Sequence, residues 1–272
     1  MATSFRTAFV IFIALLLTTC SGKETVSTGK SVEVIAHAGG QVNGYVYTNS
    51  REALECSILQ GYRYIEFDFM FTADSVLVAA HDWKSFNERT GMAHKGDTAP
   101  VYNEFKVRCI DGLFTPLSAA EINEVFENDT TICLVTDKVS SPQVLGKYFP
   151  NLKWRMIVEA FSYNDYTALL EEGYSHVLYS CLATDLGEAV FKHLLFPNLF
   201  SGRRIEWITM YNEELDNPLF CIALALSSFK IALFTVNDLS EIPVNVRSAV
   251  GMVYSDILGP LLDIPSETGV EE

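Results

Sequence analysis

An alternation of strand-like and helix-like segments runs along most of this chain and restricts its fold more than any other feature. Short runs rich in β-branched and aromatic residues are each followed by a segment with helical periodicity. Eight such strand–helix units occupy about 230 of the 272 residues, which predicts an α/β protein folded as a single-domain (β/α)8 TIM barrel. The predicted strands begin at Val32, Tyr64, Thr131, Trp154, His176, Ile205, Lys230 and Met252.

A doubly wound open sheet is the alternative arrangement of the same elements. Such a sheet usually carries a glycine-rich phosphate-binding turn before a helix, and Gly39-Gly40 matches that pattern only weakly. With 49% hydrophobic residues, the chain has enough apolar side chains for one large core, so the barrel is the preferred prediction. A turn over residues 259–262 is expected to end the regular structure.

Local signals predict several further elements. Ser118 and, three residues later, Glu121 form a capping-box pattern that begins a helix. Two more helices are expected over residues 186–195 and 218–228. Glycine and proline punctuate residues 83–115, so this segment is expected to be irregular and to cover a functional site as a lid that sets the substrate.

The charge of the chain limits its partners. The formal net charge is −15, and the sequence contains no stripe of Lys and Arg that would neutralise a phosphate backbone. Nucleic acid is therefore excluded as a partner, and electrostatic docking on anionic lipid is disfavoured. An acidic protein that acts on an anionic substrate needs local positive charge from a metal ion or from a few placed Lys and Arg residues.

Residues 1–20 have the features of a signal peptide. Arg6 precedes an apolar run over residues 8–17, which is too short to span a bilayer, since spanning takes roughly 20 residues. The polar residues 21–31 are expected to form a linker, and residues 32–265 the barrel domain. The sequence therefore predicts an exported protein.

Cys20 raises the question of a lipid anchor. Residues 17–21 resemble a bacterial lipoprotein box, although Thr19 stands where Gly, Ala or Ser is usual. The expected location is the periplasm of a bacterium, or its membrane through a lipid on Cys20, which would be the chain's one membrane contact. The remaining cysteines are odd in number and lack a Cys-x-x-Cys pattern, so buried free thiols are expected rather than a zinc site. They are Cys56, Cys109, Cys133, Cys181 and Cys221.

Glu66 and Asp68 lie two residues apart on the second predicted strand. Side chains alternate between the two faces of a strand, so these carboxylates project from the same side. They repel each other unless a cation lies between them, and a hard divalent ion bound by oxygen atoms is the simplest candidate. A sheet edge that exposes both acids to solvent is the alternative.

Further polar residues fall at the carboxyl ends of the predicted strands, where barrel enzymes assemble their sites. They include two histidines, several carboxylates and a lysine that would face one mouth of the barrel. In chain order, and with the pair just described, they are His37, Glu66, Asp68, His81, Asp137, Lys138, Glu159, Thr235 and Asn237.

The order of these motifs resembles the glycerophosphodiester phosphodiesterase family, within the superfamily that includes phosphatidylinositol-specific phospholipase C. The strongest motifs are His37-Ala38-Gly39-Gly40, Thr48-Asn49-Ser50, Glu66-x-Asp68, Thr72-x-Asp74 and His81-Asp82. Weaker ones are Thr136-Asp137-Lys138, Thr235-Val236-Asn237-Asp238 and Ser255-Asp256.

The resemblance implies metal-assisted hydrolysis of a small-molecule phosphodiester. It implies that Glu66 and Asp68 bind Ca²⁺ or Mg²⁺, which neutralises the phosphate. It implies that His37 and His81 are the general base and general acid, since imidazole titrates near neutral pH. In this family a hydroxyl of the substrate can be the first nucleophile, giving a cyclic phosphate that water then opens.

One departure from the family pattern concerns the groups that would bind the phosphate. Family members often have Arg after the first histidine, and Ala38 stands there instead. Lys138 is expected to supply the missing charge, because a lysine can bind phosphate as a point charge. Asn237 is expected to contact the phosphate as well.

The third metal ligand is the other departure. The family usually supplies it from Glu-x-Lys on strand three, and an alignment on Lys138 puts Thr136 in that place. Asp137 is the expected substitute, although a regular strand would turn it the other way unless a bulge reoriented it. Glu159 is the second candidate.

The remaining aromatic and histidine side chains are interpreted as structural. His94 is expected to be exposed, and His176 and His193 to lie outside the site. Trp154 and Trp207 are expected to pack in the core rather than to stack on a sugar.

Two other functions compete with the phosphodiesterase. A two-carboxylate glycoside hydrolase using Asp137 and Glu159 leaves both histidines and the Glu66/Asp68 pair unexplained. The departures at Ala38 and Thr136 leave a non-catalytic barrel that binds a glycan or a phospholipid as the other alternative.

Overall fold

A computed structural model describes residues 30–181, 202–211, 215 and 228–264 of the protein. Ten strands lie in this part of the chain, and eight of them are parallel and close into a barrel. The strands are β1 (Lys30–Ala36), β2 (Tyr64–Phe71), β3 (Leu77–Ala79), β4 (Cys133–Asp137), β5 (Met156–Ala160), β6 (Val177–Ser180), β7 (Trp207–Tyr211), β8 (Lys230–Phe234), β9 (Val250–Ser255) and β10 (Leu261–Ile264).

The parallel ladder runs β1-β9-β8-β7-β6-β5-β4-β2, and a final pairing of β1 with β2 closes it. In that pairing Ile35 lies beside Tyr64 and Ala36 beside Ile65. The predicted TIM barrel is therefore confirmed, and its eight strands are those expected from the sequence.

Six α-helices lie in the described chain, and short 3-10 turns connect other elements. The helices are α1 (Arg51–Gln60), α2 (Trp83–Arg89), α3 (Tyr102–Phe105), α4 (Ala119–Asn128), α5 (Pro142–Tyr148) and α6 (Tyr163–Glu171). The capping box predicted for α4 is present, because Ser118 and Glu121 each bind the other's backbone N–H. Such caps stabilise a helix by roughly 1 kcal/mol each.

Strand alternation separates two layers of apolar side chains. Ile65, Phe67 and Phe69 of β2 face the outer core, which the helices cover. A separate buried cluster fills the inside of the barrel and is called the interior layer below. It consists of Ile35, Val135, Ile157, Leu178, Ala232, Met252 and Tyr254.

Three local predictions are wrong. Residues 83–115 carry α2, α3 and a 3-10 turn, and they pack over a small core that includes Phe86 and Phe105. Instead of a turn over residues 259–262, β10 begins at Leu261 and pairs antiparallel with β1. Lys30 and Ser31, assigned to the linker, are the first residues of β1.

Several other predictions fall partly or wholly outside the described residues. These are the signal peptide, the linker before Lys30, the helices at 186–195 and 218–228, His193, Cys20 and Cys221. The cysteines inside the described ranges are free thiols, but only Cys181 is buried and Cys109 is exposed. Within these ranges no helix has the length and apolar character needed to cross a bilayer.

Candidate active site

A cavity of about 490 Å³ opens where the barrel strands end, and this end is called the C-terminal mouth. Most of the sequence-predicted site residues line it, together with five aromatic residues and a serine that the motifs did not indicate. The lining residues are His37, Tyr47, Glu66, His81, Asp137, Lys138, Glu159, Phe161, Ser180, Tyr211, Phe234, Thr235 and Tyr254.

Glu66, Asp68 and Asp137 form a compact carboxylate cluster. One oxygen from each lies within 4.8 Å of the others, and the side chains of Glu66 and Asp68 are almost fully buried. Asn49 holds Asp68 in place by donating from Nδ2 to Oδ2 at 2.9 Å and accepting the Asp68 backbone N–H at 3.2 Å. Asn49 itself takes a left-handed backbone conformation, with φ of 50°.

Asp137 ends β4, the third strand of the barrel, and points into the barrel without a bulge. The expectation that a regular strand would turn it the other way is therefore wrong. Val135 belongs to the interior layer, so Asp137, two residues later on β4, lies on the same face. It pairs in regular register with Asp68 of β2. Thr136 faces the outer layer, where its side chain is fully buried and its Oγ1 has no hydrogen-bond partner in the described chain.

Burial and the neighbouring negative charges raise the pKa of two of these carboxyls, Glu66 and Asp137. Burial raises the pKa of Glu66 well above its ordinary range, and the charges of Asp68 and Asp137 raise it further. Burial, with the charge of Asp68 next, raises the pKa of Asp137 to about 6. Such a cluster is unfavourable when fully ionised unless a cation neutralises it.

His37 leaves β1 in a 3-10 turn that directs it to the mouth. Its Nδ1 lies 2.9 Å from Oδ1 of Asp256 and 3.4 Å from Oγ1 of Thr235. The next residue, Ala38, has φ of 49° and donates its backbone N–H to Oε2 of Glu66 at 2.7 Å. Gly40 is required here, since its φ is 89° and a Cβ would lie 2.2 Å from Oγ of Ser57.

Asp256 holds His37 and is held in turn by Asn237. Partial burial alone would raise the pKa of Asp256, but hydrogen bonds from His37 and Asn237 bring it below its ordinary value. Asn237 donates from Nδ2 to Asp256 at 3.0 Å, and its Oδ1 accepts from Ser255 Oγ and the Asp256 backbone. The side chain predicted to contact phosphate therefore braces the partner of a histidine.

His81, like His37, packs beside the ring of Tyr47. Its Nδ1 lies 2.7 Å from Oδ2 of Asp82, which also caps α2 through the backbone N–H of Ser85. Partial burial opposes ionisation of Asp82, yet the bonds from Ser85 and His81 lower its pKa to about 2. Both imidazoles thus have a carboxylate at Nδ1, which leaves Nε2 for other partners.

Tyr47 packs against both histidines. Its ring centroid lies 4.5 Å from that of His37 and 5.1 Å from that of His81, with edge-on geometry in each case. Its φ of 60° is in the left-handed region. Burial, with the charges of Asp68 and Glu66 next, raises the pKa of its phenol, so the hydroxyl stays protonated.

Lys138 and Glu159 complete the polar lining. Lys138 has φ of 67°, and its Nζ lies 3.9 Å from Oδ1 of Asp68. Glu159 is buried and accepts a hydrogen bond of 2.7 Å from Tyr254. Burial, followed by the charge of Asp137, raises the pKa of Glu159 well above its ordinary range.

The donor set fits a divalent cation. Glu66 Oε1 is buried and has no hydrogen-bond partner in the described chain, which leaves an oxygen ligand available beside Asp68 and Asp137. Carboxylate oxygens are the ligands that Ca²⁺ and Mg²⁺ prefer. Ala38 is fully buried and its methyl group carries no charge, so position 38 supplies no cation for a phosphate.

Two functional candidates were not assigned a role from the sequence. Tyr47 precedes the Thr48-Asn49-Ser50 motif, and no local pattern distinguishes it from other tyrosines. Asp256 belongs to the Ser255-Asp256 motif, whose position at the end of the last barrel strand was the one signal that could have found it. Residues 83–115, expected to form a lid, contribute no side chain to the described lining of the cavity.

Comparison with known proteins agrees with this geometry. Residues 38–169 match the model of the glycerophosphoryl diester phosphodiesterase family. Of the site residues named so far, His37, Thr235, Asn237 and Asp256 are among those outside this segment, whereas the three clustered carboxylates, His81 and Lys138 lie within it. No curated protein sequence matches the chain significantly.

Solved structures share the fold. A glycerophosphodiester phosphodiesterase from Thermotoga maritima superposes with a TM-score of 0.58 at 19% identity, over 83% of this chain and 94% of that one. One from Parabacteroides distasonis ATCC 8503 gives 0.58 at 17% identity, over 83% and 92%. An Oleispira antarctica phosphodiesterase, solved with the product sn-glycerol-3-phosphate, gives 0.56 at 18% identity, over 82% and 92%.

Proposed function

We propose that the protein is a metal-dependent phosphoric diester hydrolase that cleaves glycerophosphodiesters or a related head group, since residues 38–169 match the model of the glycerophosphoryl diester phosphodiesterase family. The observation that carries the proposal is the meeting of two carboxylate-braced histidines and three clustered carboxylates around one cavity. A two-carboxylate glycoside hydrolase would leave both histidines and the Glu66/Asp68 pair without a role.

Glu66, Asp68 and Asp137 are the residues that would hold the cation. A bound Ca²⁺ or Mg²⁺ supplies charge neutralisation for the phosphate and for the negative charge that develops on it. The mutual distances favour Asp137 as the third ligand, and Glu159 is already engaged by Tyr254. The raised pKa values of Glu66 and Asp137 are consistent with a site that accommodates positive charge.

His37 and His81 act as general base and general acid in this proposal. With a carboxylate at Nδ1, each neutral ring keeps its proton on that nitrogen and offers the Nε2 lone pair to a hydroxyl. The ring that is protonated can instead donate from Nε2 to the leaving alcohol. Asp256 and Asp82 stabilise the imidazolium form of either ring.

Lys138 supplies the positive side chain for the phosphate, in the absence of an arginine at position 38. A substrate phosphate near the carboxylate cluster would replace the present Lys138–Asp68 approach of 3.9 Å with a shorter ion pair. Asn237 acts through Asp256, as a positioning residue.

We also propose that the protein is exported, on the basis of the signal-like residues 1–20, and that a lipid on Cys20 anchors it to a bacterial membrane. Mass spectrometry of the protein recovered from membranes tests this point. The expected result is a diacylglyceryl-modified Cys20 at the mature N-terminus, and an unmodified Met1 would contradict export.

A panel of phosphodiesters, assayed with and without a chelator, tests the function itself. Glycerophosphodiesters should be cleaved to glycerol phosphate and an alcohol, and chelation should abolish the reaction until Ca²⁺ or Mg²⁺ is restored. Activity that survives complete chelation would contradict the metal assignment. No cleavage of any member, with either metal added, would favour the binding barrel.

A further inference from the structure

A second cavity, of about 440 Å³, opens at the opposite end of the barrel, where the strands begin. This end is called the N-terminal mouth. Five of its lining residues are each the first residue of a barrel strand: Tyr64, Cys133, Met156, Val177 and Trp207. The interior layer forms its floor through Ile157, Leu178 and Met252, so side chains separate it from the catalytic cavity.

The volume lies within the range of small-molecule sites, roughly 300–1,000 Å³. The N-terminal mouth of a TIM barrel normally serves as scaffold, packed for stability. Here Trp154, expected in the core, is 65% exposed at the rim, and the space is left open. The prediction that Trp154 packs in the core is therefore wrong.

Aromatic faces and cations alternate around this mouth. The guanidinium of Arg63 lies 5.2 Å from the ring centroid of Tyr64, and that of Arg155 lies 5.0 Å from that of Trp154. Lys230 Nζ lies 5.1 Å from the ring centroid of Trp207. Each cation is thus held near a ring face that forms a wall of the cavity.

The balance of charge at the mouth is opposite to that of the whole chain. The chain has a net charge of −15, whereas the described lining residues include two arginines and a single acid, Glu33. Glu33 lies 4.0 Å from Arg63. Arg155 donates to the carbonyls of Asp129 and Ile132 and forms no ion pair within the described chain.

Arg155 has unused hydrogen-bonding capacity. Its side chain is only 7% exposed, and its Nε–H has no acceptor among the described residues. A buried charged donor without an acceptor is unfavourable, and an anionic group bound beside Arg155 would offset its charge.

Backbone geometry makes room for one wall. The register between β8 and β9 shifts at this point, because Ile231 pairs with Val250 and Ala232 with Met252, leaving Gly251 as an extra residue. The indole of Trp207 lies on Gly251, where a Cβ would be 2.4 Å from Cη2. Any side chain at position 251 would therefore displace the ring.

We propose that the N-terminal mouth is a second ligand site, which takes a small molecule with a flat aromatic body and one anionic group. The flat body would lie between Trp207, Tyr64 and Trp154, and the anion would lie toward Arg155 and Arg63. The site is independent of the phosphodiesterase proposal, because the interior layer divides the two cavities.

Anilinonaphthalene sulfonate has this chemistry and serves as the probe, titrated into the full-length protein with fluorescence detection. We expect saturable binding at one site, with energy transfer from tryptophan. The uncharged N-phenyl-1-naphthylamine should bind at least about threefold more weakly, because it lacks the anion. Equal affinity for the two compounds would overturn the anionic part of the proposal.

Variants locate the bound dye. Trp154→Ala should weaken binding about two- to tenfold and Arg63→Gln about two- to fivefold, and both side chains are exposed enough to change without unfolding the protein. Gly251→Val should remove saturable binding, since Trp207 must move. Unchanged affinity in both Trp154→Ala and Arg63→Gln would overturn the proposal.

Two controls exclude other binding places. Lys106→Gln removes an exposed cation that lies 5.5 Å from the Tyr102 ring centroid, away from this mouth, and should leave dye affinity unchanged. His81→Ala alters the C-terminal mouth and should also leave it unchanged. A loss of dye binding in His81→Ala would assign the dye to the catalytic cavity and refute the second site.

Discussion

The two mouths of the barrel enclose cavities of similar size, about 490 Å³ and 440 Å³, and differ in how their polar groups are supported. At the C-terminal mouth each histidine has its own carboxylate, and Asp68 has its own asparagine. At the N-terminal mouth the cations lie on ring faces or bind backbone carbonyls. Volume alone therefore does not distinguish a catalytic site from a binding site.

The difference follows from what each end of a parallel strand is joined to. Residues after a strand enter loops that converge on one mouth, where φ/ψ values such as those of Ala38, Tyr47 and Lys138 can aim side chains inward. Residues that begin a strand are already hydrogen-bonded to the neighbouring strands, so their backbone conformation is fixed. Only the choice of side chain can differ at these positions. The C-terminal mouth is suited to chemistry, and the N-terminal mouth to passive contact.

The largest effect is expected for the histidines of the C-terminal mouth. His37→Ala and His81→Ala should each lower kcat/KM for a glycerophosphodiester by roughly 10²- to 10⁴-fold, because each removes one proton transfer. His94→Ala, at an exposed position outside the cavity, is the matched control and should retain wild-type kinetics. Wild-type activity in both active-site variants would remove the acid–base assignment.

A smaller effect should distinguish the two candidates for the third metal ligand. Asp137→Asn should raise the Ca²⁺ or Mg²⁺ concentration for half-maximal activity by about tenfold or more, since it removes a clustered charge. Glu159→Gln keeps an acceptor for Tyr254 and should change the metal concentration for half-maximal activity much less. Metal titration of the chelator-treated enzymes measures both, and the reverse ranking would make Glu159 the ligand.

Tyr47 offers a test of positioning between the two histidines. Tyr47→Ala removes the ring that contacts both imidazoles and should lower kcat by about tenfold through misplacement. Tyr47→Phe keeps the ring and should retain most of the wild-type kcat. If the phenylalanine variant is as impaired as the alanine variant, the hydroxyl rather than the packing is what matters.

At the other mouth, substitution of Gly251 should change stability rather than chemistry. Gly251→Ala forces Trp207 to move and should lower the free energy of unfolding by about 1–3 kcal/mol. Gly146→Ala is the comparison, because Gly146 lies in α5 with open space around it, and should raise that free energy by about 0.4–1 kcal/mol. Urea denaturation measures both, and equal changes would contradict the close approach.

The smallest expected effect is a pH dependence at Asp82. Its folded-state pKa of about 2 is below the ordinary value of about 3.9, so its stabilising contribution is present above that ordinary value and is lost as pH falls toward 2. Asp82→Asn should therefore be less stable than the wild type at pH 7, and the gap should narrow below about pH 4. A gap that stays constant between pH 7 and pH 3 would contradict the ionised bond to His81 and Ser85.

The sequence by itself determined the barrel, most helix boundaries and the inward pair Glu66 and Asp68. These features depend on local rules, namely the alternation of side chains along a strand, the capping of a helix and the ending of a strand at a polar residue. Such rules act within a few residues, so a single amino-acid sequence is enough to predict these features.

Only the tertiary structure decided which residues meet around that pair. Asp256 braces His37 from 219 positions away, and Asp137 joins the cluster because the β2–β4 register places it beside Asp68. Tyr47 reaches both histidines through a left-handed backbone that no pattern in the sequence indicates. The cavity at the N-terminal mouth arises from the Gly251 bulge and the outward turn of Trp154, because empty space depends on how distant side chains pack.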